Sequence, residues 1–318
     1  MRIGTNPEKL NVKELAHKPH RVIIPVYIPN LEEDYFKNAL DVLKICLDSL
    51  IVTTNPEQTN ITVINNASCK EVSDTLEKYF NENKIDRLVK LSENRGKVEA
   101  VLSEAKASFE EYITISDADV FFKEGWLEAS LKIFDAFKPG VVMPMPTPNN
   151  YSMHNTHCFV RHFWSRTLKY DSAVDKMILI DFEKSVGSQG LMKKYYERQF
   201  YLEANNVRAT LGAGHFVATY DRSLFDFIPQ KKVNYVFQNG QERDYLDILT
   251  TETATCRLGT SKAYVVHLGN QASMFSGTTK TRPDKKLYFP ELPRRRRSPE
   301  IMKIFYKFSY AMTKRFYR

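Results

Sequence analysis

From residue 21 onward, short β-branched apolar runs alternate with longer stretches in which apolar residues recur at helical spacing. RVIIPVYI, beginning at Arg21, predicts a strand. Phe36, Leu40, Leu43, Leu47 and Leu50 then fall at spacings of four and three, which predicts a helix capped by Asn30 with Glu33 three residues on. NITVINNAS predicts a second strand, and Ser68 with Glu71 opens a second helix whose buried face is Val72, Leu76 and Tyr79. RLVKLS, GKVEAVLSEAKASF and YITIS follow as strand, helix and strand. That order predicts an α/β domain with a mostly parallel sheet and helices on both faces, whose ligands collect beyond the carboxyl ends of the strands. PVYIPN, NNASCKE, ENRGK and SDADV, all polar or turn-forming, should meet at that edge.

Beyond residue 140 the alternation fades. GVVMPMP predicts one more strand, and PMPTPNNYSMHNTHCF a long loop suited to binding. Residues 159–233 show no steady period apart from LGAGHFVATYDRSLF, a turn leading into a strand. RDYLDILTTETA has helical spacing through Leu246 and Leu249, and KAYVVHLG predicts a closing strand.

Composition narrows the class. A chain of 318 residues with 42% hydrophobic content can bury a sizeable core. No apolar run approaches the roughly 18 residues of a membrane span, and MRIGTNPEKLN lacks the apolar stretch of a signal peptide, so a cytoplasmic protein is expected. Cys46, Cys69, Cys158 and Cys256 are widely spaced and form no C-x-x-C pair; they read as reduced structural thiols. The net charge is +8, and residues 294–318, with nine Lys or Arg against Glu300 alone, carry all of it. The neutral remainder offers no basic groove, so no nucleic-acid partner is expected.

Asp117 and Asp119 stand one residue apart where the YITIS strand ends. On extended chain their side chains lie on nearly the same side, and two carboxylate oxygens so placed can hold Mn²⁺ or Mg²⁺ with positions open for a diphosphate. A solvated turn is the plain alternative. His154, His157, Cys158 and His162 have a zinc-like spacing without a second half, and an acceptor-site loop is the better reading.

The strings VIIPVY, ITVINNAS, ENRGKVEAVLSEA and YITISDADVFF, in that order and at those intervals, resemble the nucleotide-binding half of the family 2 glycosyltransferases of GT-A fold. The resemblance covers residues 21–127 and, more loosely, 212–268. It implies an inverting, metal-dependent hexosyltransferase that uses a nucleoside diphosphate sugar, a UDP-sugar by preference. By this resemblance Asp119 ligates the metal, Asp117 contacts the ribose or assists the metal, and His267 lies near metal or diphosphate. Pro25, Val26 and Tyr27 match the segment against the base and ribose, where Tyr27 either stacks or packs. Asn65 and Asn66 fall where the family usually has an Asp followed by Asp, Asn or Gly at the base, and Asn94 and Lys97 fall in the ENRGK segment near base or phosphates. The helix entered by QERDYLD supplies the base, Asp244 first and Glu242 second.

The expected layout is an extension over 1–20, a nucleotide-sugar half over 21–144, an acceptor half over 145–275 and a basic amphipathic tail over 276–318. In the tail, Ile301, Phe305, Phe308 and Met312 form an apolar stripe after Ser298 and Pro299. It either docks on the body or lies on an anionic membrane surface, which would place a peripheral enzyme on the cytoplasmic face acting on a glycan or lipid-linked glycan acceptor in polysaccharide synthesis. Two rival classes are a sugar-phosphate nucleotidyltransferase, for which PVYIPNLEED lacks a Gly-rich phosphate loop, and a nucleic-acid-binding protein using the Arg run.

Overall fold

The computed structural model describes residues 3–9, 17–148, 155–229, 241–271 and 285–316, with the side chains of the last helix through residue 309. The main sheet takes β1 (His20–Val26), β2 (Thr59–Asn66), β3 (Arg87–Leu91), β4 (Tyr112–Ser116), β6 (Val141–Met143), β7 (Leu168–Asp171), β8 (Gln199–Ala204), β9 (Val207–Leu211), β10 (Val217–Asp221) and β11 (Arg257–Thr260). A separate ribbon pairs β5 (Val120–Phe122) with β12 (Val265–His267). The helices are α1 (Ala39–Val52), α2 (Lys70–Asn81), α3 (Gly96–Ala107), α4 (Trp126–Phe137), α5 (Thr156–His162), α6 (Lys176–Ser185), α7 (Ile248–Thr253) and α8 (Glu300–Phe316).

Strand order is β3-β2-β1-β4-β10-β6-β11-β9-β8-β7. The first four strands are mutually parallel, as the β-α-β alternation implies, and β10 enters antiparallel between β4 and β6. Every residue of β4 is buried, and so are seven of the eight in β2, which requires cover on both faces. This is the α/β architecture expected of a GT-A domain. The ribbon explains why KAYVVHLG reads as a strand: Val265, Val266 and His267 pair with Phe122, Phe121 and Val120, not with the main sheet. His267 is thereby set beside the turn that follows β4.

Local chemistry moved two helix starts. Asn30 accepts from the Glu32 and Glu33 amides and donates to the Glu33 carboxylate, but this closes a turn, and the helix begins only at Ala39. Ser68 does not cap α2, which begins at Lys70 behind Cys69. Its hydroxyl instead accepts from the Ile28 amide and donates to the Val26 carbonyl, tying the ends of β1 and β2 together.

The expectation of reduced thiols is corrected at two positions. Cys158 on α5 and Cys256 ahead of β11 form a disulfide across a separation of 98 residues, while Cys46 and Cys69 are free. Spacing could not reveal this, because the fold alone brings the two segments together. His157 nearby is structural too. His157 is buried against the Thr255 carbonyl, and Asn155 exchanges two hydrogen bonds with the Arg257 backbone. His154 lies outside the described residues, and His162 stands near the bridged sulfurs.

Residues 285–299 form an irregular strap across the body. Gln58 exchanges hydrogen bonds with the Leu287 backbone at 2.7 and 2.8 Å, and the Tyr112 hydroxyl donates to the Pro290 carbonyl. Arg295, nearly buried, donates to Asp221 at 2.6 Å and to the carbonyls of Lys138 and Pro139. Lys303 on α8 then pairs with Glu252 at 2.7 Å.

Candidate active site

A cleft of about 340 Å³ opens at the carboxyl edge of the parallel strands, within the range of small-ligand sites. Pro25, Val26 and Tyr27 reach it from the end of β1, Asn66 from β2, and Asn94 and Lys97 from the turn into α3. Asp117 and Asp119 face it after β4, and Gly269 and Asn270 close it after β12. Tyr27 is 44% exposed here, so its ring is open to a ligand and is not a core aromatic.

Asn65 is the expected base-contacting residue that does not line the cleft. It is buried, donates to the Ser73 hydroxyl at 2.8 Å and accepts from the Ser68 amide at 2.9 Å. Asn66 lines the cleft while bracing its floor, donating to Asn94 Oδ1 and accepting from the Arg95 amide, both at 2.9 Å.

The two aspartates have different partners. β4 ends at Ser116, so residues 117–119 form a turn in which the alternation of extended chain no longer applies. Asp117 forms an ion pair with Lys97, whose Nζ also donates to the His215 carbonyl at 3.3 Å. Burial alone would pull the Lys97 amine down, but Asp117, with Glu242 and Asp119 beyond it, outweighs burial and raises it. Asp119 lies 3.4 Å from His267 Nε2. Burial pushes its carboxyl above the ordinary aspartate range; His267 acts against this shift and Asp117 adds to it.

Two buried polar atoms here have no hydrogen-bond partner, Asp119 Oδ1 and His267 Nδ1. A desolvated carboxylate oxygen without a donor is costly unless a cation completes it. Oxygen and imidazole donors together suit Mn²⁺ and are compatible with Mg²⁺, so these residues fit the expected divalent metal. Asp117, already neutralised by Lys97, is the weaker candidate ligand.

Of the two carboxylates expected to supply the base, Asp244 is exposed and 3.5 Å from Arg243, pointing into solvent. Glu242 is half-buried and close enough to Lys97 to raise its amine. The chain here forms a π-helical turn, Arg243–Asp247, before α7. That wider turn carries Asp247 inward, a residue absent from the sequence expectations. Asp247 is buried, pairs with the fully buried Arg257 at 2.8 Å and lies 3.4 Å from His215 Nδ1. Arg257 also donates to the carbonyls of Ala213 and Gly214. The turn that presents His215 and receives Lys97 is therefore held from below by a buried charge pair.

Curated proteins give no match to this chain. Among solved structures it is similar to residues 1–349 of TarS from S. aureus, at 15% identity and a TM-score of 0.45, over 79% of this chain and 60% of that one. It is similar also to the mannosyltransferase PcManGT from Pyrobaculum calidifontis, solved in complex with GDP-Man and Mn²⁺. There the identity is 14% and the TM-score 0.43, over 77% of this chain and 57% of that one. The chain thus spans about 60% of the length of the TarS fragment that it matches. Residues 22–198 match the family described as Glycosyl transferase family 2. That match takes in more than half of the sequence, and the protein belongs to glycosyl transferase family 2.

Proposed function

We propose that the protein is an inverting glycosyltransferase that moves a sugar from a nucleoside diphosphate donor, a UDP-sugar by preference, to a hydroxyl acceptor. The observation that carries this reading is Asp119, which lines a cleft with an exposed aromatic at its mouth, keeps a buried Oδ1 without a hydrogen-bond partner and lies 3.4 Å from His267 Nε2. Tyr27 stacks on the base, Asn66 and Asn94 contact it, and Lys97 neutralises diphosphate charge. Asp119 and His267 hold the divalent metal, which when bound supplies Lewis-acid stabilisation of the departing diphosphate. Glu242 takes the proton from the acceptor hydroxyl, in preference to the exposed Asp244. The acceptor oxygen bonds to the anomeric carbon as the bond from that carbon to the diphosphate oxygen breaks on the opposite side.

Thermal shift with UDP- and GDP-sugars, with and without Mn²⁺, tests the donor half, since a ligand of the native state raises stability by mass action. Asp119→Ala should lose the Mn²⁺-dependent shift and all transfer. A full shift in that variant, or full activity in excess EDTA, would refute the assignment.

The membrane role rests on α8. Its inner face docks through Lys303 and Tyr306, whereas Ile301, Ile304, Phe305 and Phe308 face outward at 75, 66, 46 and 65% exposure, near the exposed Arg296 and Arg297. Among the described residues no helix is long and apolar enough to cross a membrane. An outward apolar face beside basic residues suits peripheral attachment to an anionic cytoplasmic membrane face, where polysaccharide acceptors are met. Docking and attachment use different faces of one helix. Co-sedimentation with anionic and neutral liposomes, comparing the full chain with one ending at Pro293, decides; equal partitioning of the two proteins would refute attachment by the tail.

A further inference from the structure

A second cavity of about 730 Å³, roughly twice the donor cleft, lies between α6 and the β5–β12 ribbon. Its walls include Ile178 and Phe182 from α6, Met145 after β6, and Val266 and Leu268 along and after β12. Phe182 is stacked on Phe216 with ring centres 5.3 Å apart, and the His267 ring meets both edge-on, so this wall is rigid. The cavity is not isolated. Gly269 and Asn270 line both it and the donor cleft, and His267, which lines the cavity, is 3.4 Å from Asp119 in the cleft.

The lining says what kind of molecule would fill it. Each hydroxyl of a bare sugar needs a hydrogen-bond partner once buried, and a largely apolar wall cannot provide them. The charged groups are few: Lys184 and Asp181 pair with each other at 3.4 Å, and Lys123 donates to the Ala263 carbonyl at 3.2 Å. An alkyl chain meets no such cost and gains by leaving water.

We propose that this cavity receives the alkyl portion of a lipid-linked acceptor, with the attacking hydroxyl delivered over the lip formed by His267, Gly269 and Asn270 to the donor sugar. The proposal rests on the transferase reading for the direction of attack, but the cavity's preference for an alkyl chain can be measured without it. The two sites join at one turn, so a single bound acceptor spans both. The product keeps its alkyl chain in the cavity while the nucleoside diphosphate leaves by the cleft.

The test uses the full chain and two probes, n-octyl β-D-glucopyranoside below its micelle-forming concentration and methyl β-D-glucopyranoside, with binding read by saturation-transfer NMR and titration calorimetry. Octyl glucoside should bind at least about tenfold more tightly than the methyl glycoside, since burial of even two methylenes gives that factor. Ile178→Asp, which puts a charge on a half-buried wall position, and Ser185→Phe, which fills space, should each remove the preference while leaving UDP binding with Mn²⁺ unchanged. Equal binding of the two glycosides would overturn the proposal, as would an octyl preference that survives both substitutions. A preference that disappears in the full-length variant Phe305→Ser/Phe308→Ser, changed at exposed positions of α8, would assign the alkyl chain to the α8 stripe and likewise overturn it. Failure of UDP and GDP to bind with Mn²⁺ counts against the donor reading alone, because the octyl preference is measured in the nucleotide-free protein.

Discussion

Removing the charge of Asp247 isolates a cation that has almost no access to water. The Arg257 side chain is 1% exposed and that of Asp247 6%, and their 2.8 Å contact is the only ion pair of Arg257 among the described residues. After Asp247→Asn the guanidinium keeps the carbonyls of Ala213 and Gly214 but loses its counter-charge. Breaking a buried pair from one side costs about 3–5 kcal/mol, and the surviving carbonyl bonds favour the lower end, about 3 kcal/mol. For a chain of this size about 2 °C is lost per kcal/mol, so the midpoint of thermal unfolding should fall by roughly 6 °C. Arg257→Met should cost a similar amount by taking the guanidinium from the buried Asp247 carboxylate, which keeps His215 at 3.4 Å. The double variant Asp247→Asn/Arg257→Met removes both charges and should cost less than the two single changes together, with a coupling energy of about 2 kcal/mol. Urea titrations of the four proteins, read at constant m-value, give that coupling directly. Additivity to within about 0.5 kcal/mol would refute the view that this pair acts as a unit beneath the His215 turn.

Glu242→Gln should lower kcat by on the order of 10²-fold or more with donor affinity nearly unchanged, while Asp244→Asn should have little effect; the reverse order would return the base to Asp244. Burial holds the His20 imidazole near pKa 3, with Glu110 and Arg21 as opposing smaller influences. Between pH 6.5 and 3 the unfolded chain therefore binds a proton that the folded one does not, so this contribution is complete above pH 6.5 and is lost as pH falls. Wild type should lose about 2 kcal/mol more than His20→Gln between pH 6.5 and 5, and parallel stability curves would refute it. Arg295→Ala leaves the buried Asp221 without its counter-charge, although Ser223 still donates to its other oxygen, and should cost about 3 kcal/mol, with faster proteolysis of the strap as the second readout. Cys158→Ser/Cys256→Ser should lose about 2–4 kcal/mol relative to wild type without reductant, and the difference should close in excess dithiothreitol.

What the sequence made legible follows from where burial is two-sided. β1, β2 and β4 are nearly continuous apolar runs because helices cover both of their faces, and their carboxyl ends set the cleft. β7, with three of its four residues exposed, carries no such pattern. The β8–β9 hairpin had a readable signal in Asn205 and Asn206, both at positive φ of 52° and 62°, a dipeptide that favours the primed turns of two-residue hairpins. Asp247 was hidden for another reason. A π-helical turn changes the angular step per residue, so a 3.6-residue wheel drawn through RDYLD assigns its acids to the wrong faces. Asp117, Asp119, Lys97 and His267 were all found as candidates, but not which pairs with which, because Lys97 and His267 arrive from α3 and β12 through tertiary structure alone.

The strap also bears on how the chain folds. Gln58 meets Leu287 across 229 residues and Tyr112 meets Pro290 across 178, contacts of very high sequence separation for which loop-closure entropy must be met before any reward. During synthesis the parallel half is complete long before residues 285–299 exist, so it must persist for a time with its strap-binding surface wet. Phe289 packs near His20 and Tyr112, at ring separations of 6.3 and 5.4 Å, and its arrival seals that surface. A refolding experiment should therefore show an early phase for the sheet and a later one for strap closure, and the interval between them is when the nascent protein is most open to proteases and to chaperones.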